Sequence, residues 1–187
     1  MSEVERKSID NVLAFHGAPT LLGVKCANLI SFDRNECIMS EYLREFAKKL
    51  ADCRLCAKQL CKCKNRTLVY IYNAKMLAAW LKMSDVSDFL AEYGYTSGMT
   101  VNDMLDVLAG RMSCGSFPHE IGAFLGYPVE DIRGFISYSG KNCLLCGYWK
   151  VYENAEKAQQ TFDKYDRCRE ILFDRLNHGV DLFQAVK

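Results

Sequence analysis

Proline is scarce in this chain, with three in 187 residues, and no stretch is built from only a few residue types. Aromatics are plentiful, so the composition of a disordered or linker-rich protein is absent. Charge of one sign is also lacking. The chain has 24 Lys and Arg against 23 Asp and Glu, a net +1, so no overall field draws nucleic acid or an acidic membrane. No apolar run approaches the roughly 18 residues of a membrane span. The charged start Met1-Ser2-Glu3-Val4-Glu5-Arg6-Lys7 has no apolar secretory core, and the expectation is a cytoplasmic protein. Walker loop, dinucleotide fingerprint and His-Glu-x-x-His are all missing.

Half of the residues are hydrophobic, enough for one domain over 1–187 with its own core. Ten cysteines make up about 5% of the chain, below the 8–10% of a small disulfide scaffold. In a reducing compartment they read as thiols, metal ligands or core filler.

Apolar periodicity predicts a first helix over about 3–15, stopped by Gly17, with Ala18-Pro19-Thr20 as a turn. Leu21 to Phe32 reads as a short buried helix or as a helix running into a strand. Residues 36–51 carry Ile38, Tyr42, Leu43, Phe46 and Leu50 at helical spacing. A β-hairpin follows over about 56–72, with Lys64-Asn65-Arg66 turning into the β-forming Thr67-Leu68-Val69-Tyr70-Ile71-Tyr72. Helices are expected over 74–82, 84–93 and 100–112, with Ser84 and Thr100 as N-caps and Gly94 as a stop. Phe117-Pro118-His119-Glu120 opens a short helix, and Pro128 starts another running to Ile136. A strand near 146–152 precedes a last helix over 154–177. The fold class is therefore α+β, helix-rich, with a small sheet.

Two cysteine groups carry possible chemistry. Cys53, Cys56, Cys61 and Cys63 fall within eleven residues and offer the four thiolates that zinc or an iron–sulfur cluster takes. The same Cys61-x-Cys63 alternation suits two buried strand residues, and Ala57 stands where a zinc knuckle has glycine. Cys143-x2-Cys146 suits half a metal site or a redox dithiol, although a strand follows it rather than a helix. Cys26, Cys37, Cys114 and Cys168 sit in apolar patterns and read as core. His119 and Glu120 at a helix start could flank an anion, and with Cys143 they make a thiol–imidazole–carboxylate set. The same residues also suit ordinary helix-start chemistry. Basic residues crowd Lys48 to Arg66, but a solvated strand face explains them better than nucleic acid does.

The segments FPHEIG-x3-GYP at 117–128, Gly140-Lys141-Asn142-Cys143 and GYWKVY at 147–152 resemble a bacterial family known only as a domain of unknown function. His16-Gly17-Ala18-Pro19-Thr20-Leu21, with Lys25 and Asn28, resembles its opening motif. The resemblance covers essentially the whole chain. It implies a single cytosolic domain from anaerobic Gram-positive bacteria, with no activity attached, and the Cys53–Cys63 cluster lies outside the matching pattern. The leading expectation is a protein of anaerobic metabolism that binds a metal or small molecule. Its pocket would be built from His16, Thr20, Lys25, His119, Glu120, Cys143, Tyr148, Trp149 and Lys150. His119 and Cys143 would be its ligands, with Glu120 balancing charge. Two alternatives stand beside it. One is a thiol enzyme with Cys143 or Cys146 as nucleophile and His119 as base; the other is an interaction module without chemistry. Oligomeric state is left open.

Overall fold

The computed structural model describes every residue except 34, 35, 64, 65 and 114–116, together with the side chains of 36, 37 and 61–63. In chain order, helix α1 spans Glu3–Leu21, strand β1 Ala27–Asp33 and helix α2 Glu36–Lys49. Strands β2 (Leu55–Cys63) and β3 (Arg66–Asn73) follow. Helices α3 (Ala74–Leu81), α4 (Ser84–Ala91), α5 (Val101–Met112), α6 (Ile121–Phe124) and α7 (Val129–Ser137) come next. The short strands β4 (Leu145–Cys146) and β5 (Lys150–Val151) then lead to α8 (Ala155–Asn177) and α9 (Leu182–Ala185).

The main sheet is antiparallel, in the order β1-β3-β2. Its central strand is buried on both faces, which is why 67–72 reads as a nearly continuous apolar run. Val69 and Ile71 enter one core with Leu13 and Ala18 of α1, Tyr42 and Phe46 of α2, and Leu172 of α8. Tyr70 and Tyr72 enter the other, with Leu77, Phe89, Leu105, Phe124 and Ile132 of the helices from α3 to α7. The sheet is thus sandwiched between two helical layers, in a helix-rich α+β fold. No helix among the described residues is long and apolar enough to cross a membrane.

Helix α1 differs from the sequence expectation. It continues through Gly17 and Pro19 to Leu21 rather than stopping at Gly17. A Cβ on Gly17 would lie 2.5 Å from Ile71 Cδ1 and 3.3 Å from Ile30 Cδ1, so glycine here allows the helix to lie directly on the sheet. The turn follows Leu21: Gly23 takes φ +70°, and the Val24 and Lys25 amides donate to the Pro19 carbonyl at 2.8 and 2.9 Å.

Two further expectations change in detail. Ser84 is the first residue of α4, not its cap, because Met83 takes the N-cap position without a side-chain bond. Thr100 does cap α5, in a capping box with Asp103. The strand near 146–152 is a separate two-stranded hairpin, in which Leu145 pairs with Val151 and Cys146 with Lys150. Val151 of this hairpin packs on Phe162 and Ala158 of α8, forming a small third core. The Lys64-Asn65 part of the expected turn lies outside the described residues.

Candidate functional site

A cleft of about 610 Å³ opens between the α6–α7 segment and the β4–β5 hairpin. Its walls are apolar: Phe117, Leu125, Tyr127, Ile132, Phe135 and Trp149. His119, Asp131, Cys146 and Lys150 supply its polar groups. The two helices meet tightly at its base, where a Cβ on Gly122 would lie 2.9 Å from Ile132 Cγ1.

Asp131 organises this wall. It is buried, and one carboxylate oxygen accepts from Trp149 Nε1 at 2.7 Å. The other accepts from the backbone amides of Tyr152 and Glu153 at 2.7 and 3.0 Å. Three donors from the hairpin and the residues just after it thereby satisfy a buried charge and fix the hairpin against α7. Trp149 stacks on Tyr127, with centroids 5.1 Å apart, and meets Phe162 edge-on at 4.6 Å. Close approach by α7 needs Gly134, whose Cβ would strike the Tyr152 ring at 2.4 Å.

The cationic side of the cleft is less constrained. Lys150 Nζ donates to the Gly140 carbonyl at 2.6 Å and lies 6.0 Å from the Phe135 centroid. The His119 ring sits 5.6 Å from that of Phe135. Cys146 is exposed at the rim, and Phe117 and Phe135 leave apolar surface open beside it.

Of the expected site residues, the structure brings His119, Trp149 and Lys150 together around this cleft, with Cys146 rather than Cys143 in its lining. Cys143 is half-buried nearby. The Tyr152 hydroxyl is pushed above its ordinary pKa by burial first and by Cys143, Asp131 and Cys146 after it. Glu120 does not join the cleft lining. It is buried and pairs with Arg111 at 2.9 Å, while the same guanidinium also donates to the Tyr93 carbonyl. Glu120 is therefore a structural anion, and α6 begins after it, at Ile121.

His16 lies elsewhere, exposed on α1 against Phe15 at 4.8 Å. Partial desolvation, and then the Arg169 guanidinium, hold its pKa below the usual imidazole value. Thr20 is fully buried and donates to Asn28 Oδ1 at 2.7 Å, tying α1 to β1. Tyr148 packs on Phe162 and Tyr165, and its hydroxyl donates to Asp166 at 2.8 Å. Lys25 lines a different cavity.

Among the described residues, no three His, Cys, Asp or Glu side chains gather where a metal ion could be held. Cys53 packs on the α1–α2 core and Cys56 on the opposite one. The side chains of Cys61 and Cys63 lie outside the described residues. Cys26 and Cys168 are buried, as the apolar pattern suggested, whereas Cys114 and the Cys37 side chain also lie outside the described residues.

Sequence reasoning missed Asp131 and Tyr127. An acid in the first turn of a helix is ordinary dipole chemistry, and the donors that give Asp131 its role are 18 to 22 residues away. No curated protein and no solved structure matches the chain. From residue 13 to residue 186 it matches the family described as Protein of unknown function (DUF3793), and the chain belongs to that family.

Proposed function

We propose that the protein binds a small molecule with a flat apolar body and an anionic end in the cleft between α6–α7 and the β4–β5 hairpin. The observation that carries this reading is the Asp131-anchored wall. A stacked Trp149–Tyr127 pair faces an apolar cleft of about 610 Å³, with Lys150 and His119 in its lining. Its size and lining match the ordinary small-ligand site, mostly apolar with a few placed polar groups. Asp131 has its oxygens taken up by three hydrogen-bond donors, so the cation in the lining that can meet a ligand's anion is Lys150, with His119 beside it as a further polar group. The aromatic pair receives the flat body, and the lysine receives the anion.

The test uses 1-anilinonaphthalene-8-sulfonate, a flat apolar anion, and the Trp80→Phe variant, which leaves Trp149 as the reporting indole. Saturable one-to-one binding with energy transfer from Trp149, weakened about tenfold by Lys150→Met, is expected. Non-saturable binding, or binding unaffected by both Lys150→Met and Trp149→Ala, overturns the reading.

A thiol-dependent reaction is the second reading, favoured by the exposed Cys146 lying in the same lining as His119. A nucleophilic thiol reacts as thiolate. Iodoacetamide should then alkylate Cys146 faster than Cys143, with a pH profile displaced by His119→Ala. Equal, slow alkylation of both removes this reading.

A further inference from the structure

A second cavity, of about 540 Å³, shares no lining residue with the cleft and lies among Lys25, Cys26, Met76, Trp80, Met83 and Tyr165. Lys25 is 3% exposed. Its Nζ lies 5.1 Å from the Tyr127 centroid and 5.8 Å from that of Tyr165. Among the described residues, no carboxylate pairs with it and no acceptor takes its hydrogen bond. The backbone holds it rigidly, because its amide is tied to the Pro19 carbonyl and the next residue's carbonyl accepts from Asn73 at 2.9 Å. Lysine is almost never fully buried unless it is paired. Among the described residues, the faces of Tyr127 and Tyr165 are the contacts its ammonium makes, and a cation–π contact recovers only part of the solvation lost.

We propose that Lys25 is an amine nucleophile that condenses with a small apolar aldehyde in this cavity, as a site separate from the proposed ligand cleft. Desolvation lowers its pKa to about 8, against an ordinary 10.5, with Cys26 opposing. A far larger fraction is therefore the free amine near neutral pH than for a surface lysine. The nitrogen lone pair attacks the carbonyl carbon, and the C–N bond forms as the oxygen takes up a proton. That oxygen then leaves as water, carrying two hydrogens that come in net from the nitrogen, and a C=N bond remains. No oxidant or reductant is required. An apolar carboxylate fits less well, because its two oxygens need several donors and this wall supplies little beyond Nζ. The Trp80 indole is already committed to the Ala123 carbonyl at 2.7 Å. An aldehyde gives up its oxygen as water on condensation, so the imine nitrogen is the one polar atom that the adduct leaves in the cavity.

The experiment treats the whole protein at pH 7 with butanal and cyanoborohydride and maps the reduced adducts by peptide mass spectrometry. Exposed Lys7, Lys82, Lys141 and Lys187 serve as internal references. Lys25 should be labelled at least about tenfold faster than these, the direction set by its larger free-amine fraction. Ala79→Trp, at an exposed position on the cavity wall, should suppress labelling of Lys25 while leaving the references unchanged. Labelling of Lys25 no faster than the references overturns the proposal. So does labelling indifferent to Ala79→Trp, or saturable protection by butanoate with no aldehyde adduct. None of these outcomes depends on sulfonate binding in the cleft, so the two proposals fail separately.

Discussion

The Nε of Arg169 on α8 donates a 3.0 Å hydrogen bond to the backbone carbonyl of Phe15 on α1. In an uninterrupted helix that oxygen would accept from residue 19, but residue 19 is proline and has no N–H. Arg169 thus supplies from another helix the donor that Pro19 withholds. The same guanidinium stacks over the Phe15 ring at 4.4 Å and reaches the Tyr148 hydroxyl at 2.9 Å. Arg169→Met should destabilise the protein by about 1–2 kcal/mol, the cost of an orphaned acceptor and a lost charged donor. In that background Pro19→Ala should recover part of the loss by restoring the helical amide. Urea denaturation of the four proteins in a double-mutant cycle checks this, and strictly additive effects would contradict the relationship.

Asp131 makes a second long-range tie with a different signature. Asp131→Asn keeps one oxygen for the Tyr152 and Glu153 amides but presents an NH2 to Trp149 Nε1, a donor facing a donor. A loss of about 1–3 kcal/mol is expected, together with a drop in Trp149 fluorescence anisotropy in the Trp80→Phe background. Unchanged anisotropy would mean that Trp149 is held by its stacking alone.

These two ties mark the boundary of what the sequence revealed. Helices α2, α5 and α8 and the β2–β3 pair were legible because periodicity and capping are local: Thr100 with Asp103, or Phe162, Tyr165, Cys168 and Leu172 along one face. The end of α1 was misread because Gly17 and Pro19 obey tertiary demands. One needs room against Ile71, and the other is repaired by Arg169. Within the candidate site, His119, Trp149 and Lys150 were found as members of motif-bearing segments. Glu120, adjacent to His119, was assigned to the same pocket, yet its side chain is claimed by Arg111, nine residues earlier. Adjacency in sequence says little about direction at the start of a four-residue helix.

That assignment can be tested on its own. Arg111→Met leaves the Glu120 carboxylate buried without its partner and should cost about 3 kcal/mol, whereas Glu120→Gln, which retains a hydrogen-bond acceptor, should cost less. The double variant should be more stable than Arg111→Met alone. Because Glu120 does not line the cleft, Glu120→Gln should leave sulfonate binding within about twofold of wild type. A tenfold loss in a protein that remains folded would return Glu120 to the binding site.

Lys25 makes a prediction about stability as well as reactivity. Its folded pKa, about 8, lies below the ordinary 10.5, so above pH 8 the folded state has released this proton while the unfolded chain still holds it. With more protons bound to the unfolded state, stability rises with pH. The neighbouring Cys26 thiol, raised by burial from 9.0 to about 11, acts in the opposite sense once the pH passes 9, and Tyr127 and Tyr165, also raised by burial, do so higher still. The window that isolates the lysine therefore runs from pH 8 to pH 9. Across it the wild type should gain about 1 kcal/mol relative to Lys25→Met, since a full unit of differential protonation corresponds to about 1.4 kcal/mol. Below pH 8 the methionine variant should be the more stable protein, because it no longer buries an ammonium. Denaturation curves collected for both proteins at half-unit intervals check this, and two parallel stability profiles would show that Lys25 remains charged and solvated in the folded state.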